Sequence, residues 1–376
     1  MLVERQALEE LHEVNNHQEE LGGSGYSSRE TPNRQTQMNK KERRKYPSLR
    51  SFTWSENLEK SEGQILVENT VQEWYNAKHA TSSVSEIEFI NSLDIKQCPF
   101  CGSHDFTKYG HKKDGTQRYI CKGCGKRFTA LTNTIFDSKK IPISEWIEYL
   151  LHLFEFHSIN STAYDNRNSP TTGKYWLIKT FEVLKGIQDD VVLDGTVYLD
   201  ETYFTKVKSK LATKDGKKLR GISRNKIGVG VACNETKSIF IVTGTSKPSR
   251  KSTKETYSKH IARGSVLVHD DEHSHSILIE ELELESKVYP TSETKGLSDK
   301  DNPLYPVNNL HLLLKQFIRN HGAYDREHLQ DWLNLFWFIM NEPKDKYDKV
   351  LKFIEMAVLS PKRVRYRDAM SSKHSK

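Results

Sequence analysis

Thr196-Val-Tyr-Leu-Asp200, then Lys226-Ile-Gly-Val-Gly-Val-Ala-Cys233 and Ser238-Ile-Phe-Ile-Val-Thr-Gly-Thr245, are the runs on which the fold turns. The first reads as a buried strand. The second and third are joined by Asn234-Glu-Thr-Lys237, a turn-like tetrad, and so predict a β-hairpin. Ser265-Val-Leu-Val-His-Asp270 is a fourth strand, with a helix over Ser276 to Leu282 behind it. Glu285 to Tyr289 reads as a short fifth strand and Thr291 to Pro306 as a polar loop. Helical patterns follow over Val307 to His321, Arg326 to Met340 and Lys344 to Leu359, then a basic tail, Lys362-Arg-Val-Arg-Tyr-Arg367. The class is α/β.

Two carboxylates stand at expected strand ends, Asp200 and Asp270. A strand end holds a side chain rigidly yet lets it reach solvent. Two such strands side by side place both carboxylates on one hard cation, and Mg²⁺ prefers oxygen ligands. Strand, hairpin, strand ending in Asp, then helices is the order of an RNase H-like α/β domain. A third group is expected from a later helix. Asn308 and Lys315 are seven residues apart and share a helical face, with His311 between them. Asp194, Glu201, Asp271 and Glu272 remain rival carboxylates, and the bland reading of any one of them is a turn or cap residue.

Upstream, Cys98-Pro-Phe-Cys101 and Cys121-Lys-Gly-Cys124 are separated by nineteen residues. Two C-x-x-C knuckles at that distance, with room for a small hairpin between them, suit one tetrahedral zinc site. Tyr119, Ile120 and Phe128 are expected to cover its apolar side. Lys108, His111, Lys112, Lys113, Arg118, Lys122, Lys126 and Arg127 would give it a positive surface. Cys233 lies in an apolar run and reads as a small core residue.

Between the ribbon and the strands lies a helical block. Ser144 is its expected first N-cap, and Trp146, Leu150, Leu153 and Phe154 recur at helical spacing. A short helix over Asn160 to Asn166 and another starting at Ser169-Pro170-Thr171 follow. The trio reads equally as a helix-turn-helix, with Lys174 and Lys179 on phosphates, or as ordinary three-helix packing. Before residue 80, a possible helix over Ala7 to Leu21, a polar linker over Gly22 to Gln37 and the basic run Lys40-Lys-Glu-Arg-Arg-Lys45 form an extension. The run is either a solvated segment or a phosphate-touching arm. The organisation expected is 1–80 extension, 81–130 zinc ribbon, 131–190 helical unit, 191–345 catalytic domain, 346–376 helix and basic tail.

The chain has 376 residues, 35% hydrophobic and 28% charged, with a net charge of +7. That balance is compatible with a polyanionic partner without requiring one. No apolar run approaches ~18 residues, so no transmembrane helix is expected, and the start lacks the apolar core of a secretory signal. Zinc-type cysteine spacing argues for a reducing compartment.

Taken together, the Cys98/Cys101/Cys121/Cys124 ribbon, Ser169-Pro-Thr-Thr-Gly-Lys-Tyr-Trp176, Leu199-Asp-Glu-Thr-Tyr203, Asp270, Asn308-x-x-His311-x-x-x-Lys315, Gly322 and His328-Leu-Gln-Asp-Trp332 resemble a known family. It is that of bacterial insertion-sequence transposases with an N-terminal zinc ribbon and an RNase H-like DDE-type catalytic domain. The resemblance covers about residues 95 to 340. Some branches carry Glu at the third catalytic position; this chain is similar to the branch with an Asp-Asp-Asn-Lys set. The resemblance implies catalytic Asp200, Asp270, Asn308 and Lys315, with Mg²⁺ on the two aspartates and a structural Zn²⁺ on the four cysteines. It further implies double-stranded DNA partners (element ends and target), a homo-oligomer on DNA, no membrane, and a cytoplasmic, nucleoid-associated location. Rival readings are a non-enzymatic zinc-ribbon DNA-binding protein derived from a transposase, and a nuclease that cuts without joining. A catalytic zinc fits least, because four cysteines close the coordination shell.

Overall fold

Five strands form one mixed sheet in the computed structural model, which describes residues 83–137, 143–166, 168–206, 211–214, 217–321, 326–359 and 362–370. All of these belong to one compact unit, Glu73–Lys376. The expected features at 7–21, 22–37 and 40–45, and Gly322, lie outside the described residues.

A small three-stranded antiparallel sheet comes first: β1 (Phe106–His111), β2 (Gln117–Cys121) and β3 (Arg127–Phe128), in that order, preceded by α1 (Ser83–Ser92). Three helices follow: α2 (Ile143–Phe154), α3 (Ile159–Asp165) and α4 (Pro170–Leu184). Helix α2 already includes Ile143, so Ser144 sits inside its first turn rather than capping it. Ser169 does cap α4, its side chain accepting from the Thr172 N–H, and Pro170 takes the first helical position, where its missing donor is harmless. Gly173 lets α4 approach α3, since a Cβ there would stand 3.1 Å from that of Ala163.

The main sheet comprises β4 (Thr196–Thr205), β5 (Lys226–Cys233), β6 (Ser238–Thr245), β7 (Val266–His269) and β8 (Glu285–Val288). Its order is β8-β7-β4-β5-β6. β4, β5 and β6 are antiparallel; β4, β7 and β8 run parallel. Helices α5 (Arg250–Tyr257) and α6 (Ser276–Leu282) make the connections that parallel pairing requires. Three longer helices follow, α7 (Tyr305–Asn320), α8 (Leu329–Met340) and α9 (Lys346–Leu359), then a short one over Tyr366–Ala369. β4 runs five residues beyond Asp200, which is therefore mid-strand and not at a strand end.

Side-chain alternation sorts the sheet into two cores. One face carries Val197, Leu199, Ala232, Ile239 and Leu267 against Tyr257 of α5 and Leu278 of α6. The other carries Val229, Val231, Phe240 and Val268, and its apolar cluster continues without a break through Phe317, Phe336 and Phe353 to Trp146 and Leu184 of the helical block. Trp146 and Trp176 stack at 4.4 Å within it. The segment expected as a basic tail packs back onto α4: the Tyr175 hydroxyl donates to the Val364 carbonyl at 2.6 Å, and the Lys362 ammonium donates to the Glu182 carbonyl. Among the described residues no helix is long and apolar enough to cross a membrane.

Candidate active site

The four cysteines meet. The Sγ atoms of Cys98 and Cys124 lie 3.8 Å apart, those of Cys101 and Cys121 3.6 Å apart, and all four within 4.8 Å of one another. Four sulfurs held tetrahedrally at about 2.3 Å from one ion stand about 3.8 Å apart, so the donor set fits zinc. Positive-φ glycines, Gly102 and Gly125, follow each knuckle and turn the chain back. Phe106, Tyr119 and Phe128 pack edge-on and stacked beside the cluster. Phe106 takes the part expected of Ile120, which alternates away from them along β2. Outside, the Arg127 guanidinium lies over the Tyr109 ring at 4.4 Å and donates to its hydroxyl, and Lys126 lies over Phe100.

On the main sheet, Leu199 of β4 pairs with His269 of β7. The next residue on each strand is Asp200 and Asp270, so the two carboxylates are neighbours, Asp200 turned toward α7 and Asp270 just past the end of β7. Their side chains are 24% and 29% exposed, enough to admit a ligand. Burial, then the negative charges of Asp270 and Glu201, push the Asp200 carboxyl up to about 7. Asp270 is raised too, chiefly by burial. Crowded, part-buried carboxylates of this kind are the complement of a hard divalent cation.

The same alternation sends Glu201 and His269 to the opposite face. Glu201 is nearly inaccessible, accepting from the Tyr257 hydroxyl at 2.9 Å, with Nε2 of His275 at 3.3 Å. Nδ1 of His275 lies 3.1 Å from Nδ1 of His269 and 3.8 Å from Asp270 Oδ1. His269 Nε2 reaches the Ser286 hydroxyl of β8 at 3.0 Å. Burial lowers His269 to about 4, whereas the carboxylates around His275 hold its pKa above the ordinary value despite its burial.

From α7, His311 comes nearest the pair, its Nδ1 3.7 Å from Asp200 Oδ2. Burial and the nearby Lys315 charge push it down to about 4, so it is neutral at physiological pH. Asn308 and Lys315 lie one turn to either side, Asn308 half-buried and Lys315 exposed. The sequence placed His311 between two candidates without assigning it a role; the i, i+3, i+7 spacing was its signal.

The rival carboxylates separate by geometry. Asp194 accepts from Asn234, Glu201 points to the other face, Asp271 is exposed and Glu272 pairs with Lys247. Strand period alone would have told Glu201 from Asp200. In the helical block, Lys174 is exposed on α4, but Lys179 is buried, its ammonium donating to the Ile135 carbonyl and lying over the Tyr175 ring. Burial lowers it to about 8, and it is not placed to reach a phosphate.

No family model matches the chain, and no curated protein matches it. Solved structures do. A pre-cleavage Mos1 transpososome is similar at 12% identity and TM-score 0.22, covering 58% of this chain and 78% of that one. The Mos1 strand transfer complex is similar at 14% identity and TM-score 0.25, covering 60% and 80%. A simian T-cell lymphotropic virus intasome in complex with PP2A regulatory subunit B56 gamma is similar at 10% identity and TM-score 0.26, covering 51% and 65%.

Proposed function

We propose that the chain is a DNA transposase with an RNase H-like catalytic domain, which cuts and joins DNA at the ends of a mobile element. The observation that carries this reading is the register-matched pair Asp200 and Asp270, with His311 of α7 at 3.7 Å from Asp200. Asp200 and Asp270 would hold Mg²⁺, which when bound activates an attacking oxygen and stabilises the leaving one. Neutral His311 orients the Asp200 carboxylate without a competing charge. Asn308 offers a neutral oxygen to the same space, and Lys315 meets a DNA phosphate. Chemically, a water oxygen attacks phosphorus at the element end and the P–O3′ bond breaks, leaving a 3′-hydroxyl. That hydroxyl attacks a target phosphorus and displaces the target's own 3′ oxygen, so no energy-rich cofactor is consumed.

The cysteine cluster would hold one structural zinc, folding a basic ribbon that grips duplex DNA. Its Arg118, Lys122, Lys126 and Arg127 supply sequence-independent affinity. The helices α2 to α4 add a second contact surface through Lys174, in the manner of a helix-turn-helix. Acting on two ends calls for a multimer on DNA.

The test is strand transfer with the full chain, Mg²⁺ and DNA carrying the flanking ends. Wild type should nick and join, and Asp200→Ala should do neither while still shifting the DNA. Binding without any cleavage by wild type would favour a non-enzymatic DNA-binding protein; nicks without joined products would favour a nuclease.

A further inference from the structure

The two carboxylates of the pair are not held alike. Asp200 sits mid-strand, with ladder partners on both sides of it along β5. Asp270 lies one residue past the last paired residue of β7, beyond the Tyr289 N–H bond to the His269 carbonyl. Among the described residues its own side chain accepts a hydrogen bond from the Glu272 N–H alone, at 3.2 Å. A ligand that must meet a cation within a few tenths of an ångström needs better anchoring than a strand end supplies.

That anchoring lies on the opposite face. Burying a carboxylate is unfavourable unless it is paired and hydrogen-bonded, and Glu201, 4% exposed, is both. The room for its partner comes from Gly230, the β5 residue paired with Glu201: a Cβ there would lie 2.1 Å from the Tyr257 hydroxyl. The line continues through His275 to His269, the residue before Asp270, and ends on Ser286. His275 also lies 3.8 Å from the Asp270 carboxylate itself. Asp270 is thus approached twice, through the chain by His269 and through space by His275.

We infer that Tyr257, Glu201, His275 and His269 form a brace that positions Asp270 for a divalent cation, acting as positioning residues and not as ligands. Tyr257 and Glu201 stand on the far side of the sheet from the pair, and the facing Nδ1 atoms of His269 and His275 are taken up by each other. The inference rests on the reading of Asp200 and Asp270 as the cation site.

The experiment measures Mn²⁺ binding to the full-length, zinc-loaded chain without DNA, by the electron paramagnetic resonance of free Mn²⁺, and in parallel Mg²⁺-dependent cleavage of end DNA. Tyr257→Phe and His275→Gln should each weaken Mn²⁺ binding by about 10-fold or more, with zinc content and DNA affinity unchanged. Glu201→Gln, which keeps an acceptor oxygen, should retain more affinity than Glu201→Ala. Ser286→Ala, on an exposed edge strand, should weaken binding in the same direction by less, and keeps the test readable if a core variant loses its fold. Wild-type Mn²⁺ affinity in both Tyr257→Phe and Ser286→Ala, with binding lost in Asp270→Asn, would overturn the brace and leave the cation site standing. Wild-type affinity in Asp270→Asn would overturn the cation site itself.

Discussion

The cysteine cluster and the carboxylate pair are two metal-fitting sites built on opposite plans. The cluster draws its four donors from 27 consecutive positions, Cys98 to Cys124, in a small unit whose buried apolar cluster consists of Cys98, Cys121 and Phe128. The pair joins Asp200 and Asp270 across a parallel ladder backed by cores on both faces, with His311 of α7 beside Asp200. In the first, the donors must do the work of a core; in the second, the core does the work of placing the donors. Removing donors should therefore unfold the ribbon but leave the larger site folded and inactive.

The sharpest test of that contrast is Asp270→Ala. We expect cleavage and joining to fall by at least about 10³-fold, several kcal/mol of transition-state stabilisation, with thermal stability and gel-shift affinity kept. A collapse of the fold would break the contrast. Next comes Cys121→Ser, or zinc removal by a strong chelator. Zinc content should fall from one per chain, protease protection of the ribbon should vanish and DNA affinity should drop, while the main sheet still unfolds cooperatively.

A smaller effect follows from the pKa of Asp200. Its folded value, about 7, lies above the ordinary carboxylate value of 3.8, so the folded state holds the proton more tightly. Its stabilising contribution is complete below pH 4 and is lost as pH rises through 7. Asp200→Asn, which cannot ionise, should stabilise the metal-free protein by on the order of 3 kcal/mol at pH 8 and by nothing at pH 4, in urea melts with chelator. Mg²⁺ affinity of the wild type should weaken below pH 7, where a proton competes. Smaller again is Gly230→Ala, an overpacking change of about 1–3 kcal/mol in the melting curve, because the added methyl displaces the Tyr257 hydroxyl. An unchanged melt would show that the brace has slack.

Much of this was legible in advance. The strands at Lys226–Cys233 and Ser238–Thr245 and the helix Ser276–Leu282 fall where the residue pattern put them, because alternation and turn chemistry are local. The helix start at Ser169-Pro170-Thr171 and the meeting of the cysteines were readable for the same reason. The extra length of β4 was missed although Thr202-Tyr-Phe-Thr205 favours a strand, and it is fixed by pairing of Glu201 to Thr205 with Gly230 to Lys226. The burial of Lys179 was not legible, because it depends on Ile135 arriving from 44 residues away.

What the sequence determined by itself is chemical: which residues are thiols and carboxylates, how closely the cysteines follow one another, and which way successive side chains of a strand must point. Those follow from covalent spacing and backbone period. Only the tertiary structure decided that Asp200 and Asp270 stand at matched positions, that His311 is the helix residue beside Asp200, and that Glu201 lies behind them with Tyr257 and His275. Such choices are made by register and by packing between segments that stand as far apart in the chain as Asp200 and His311, and no local pattern encodes them.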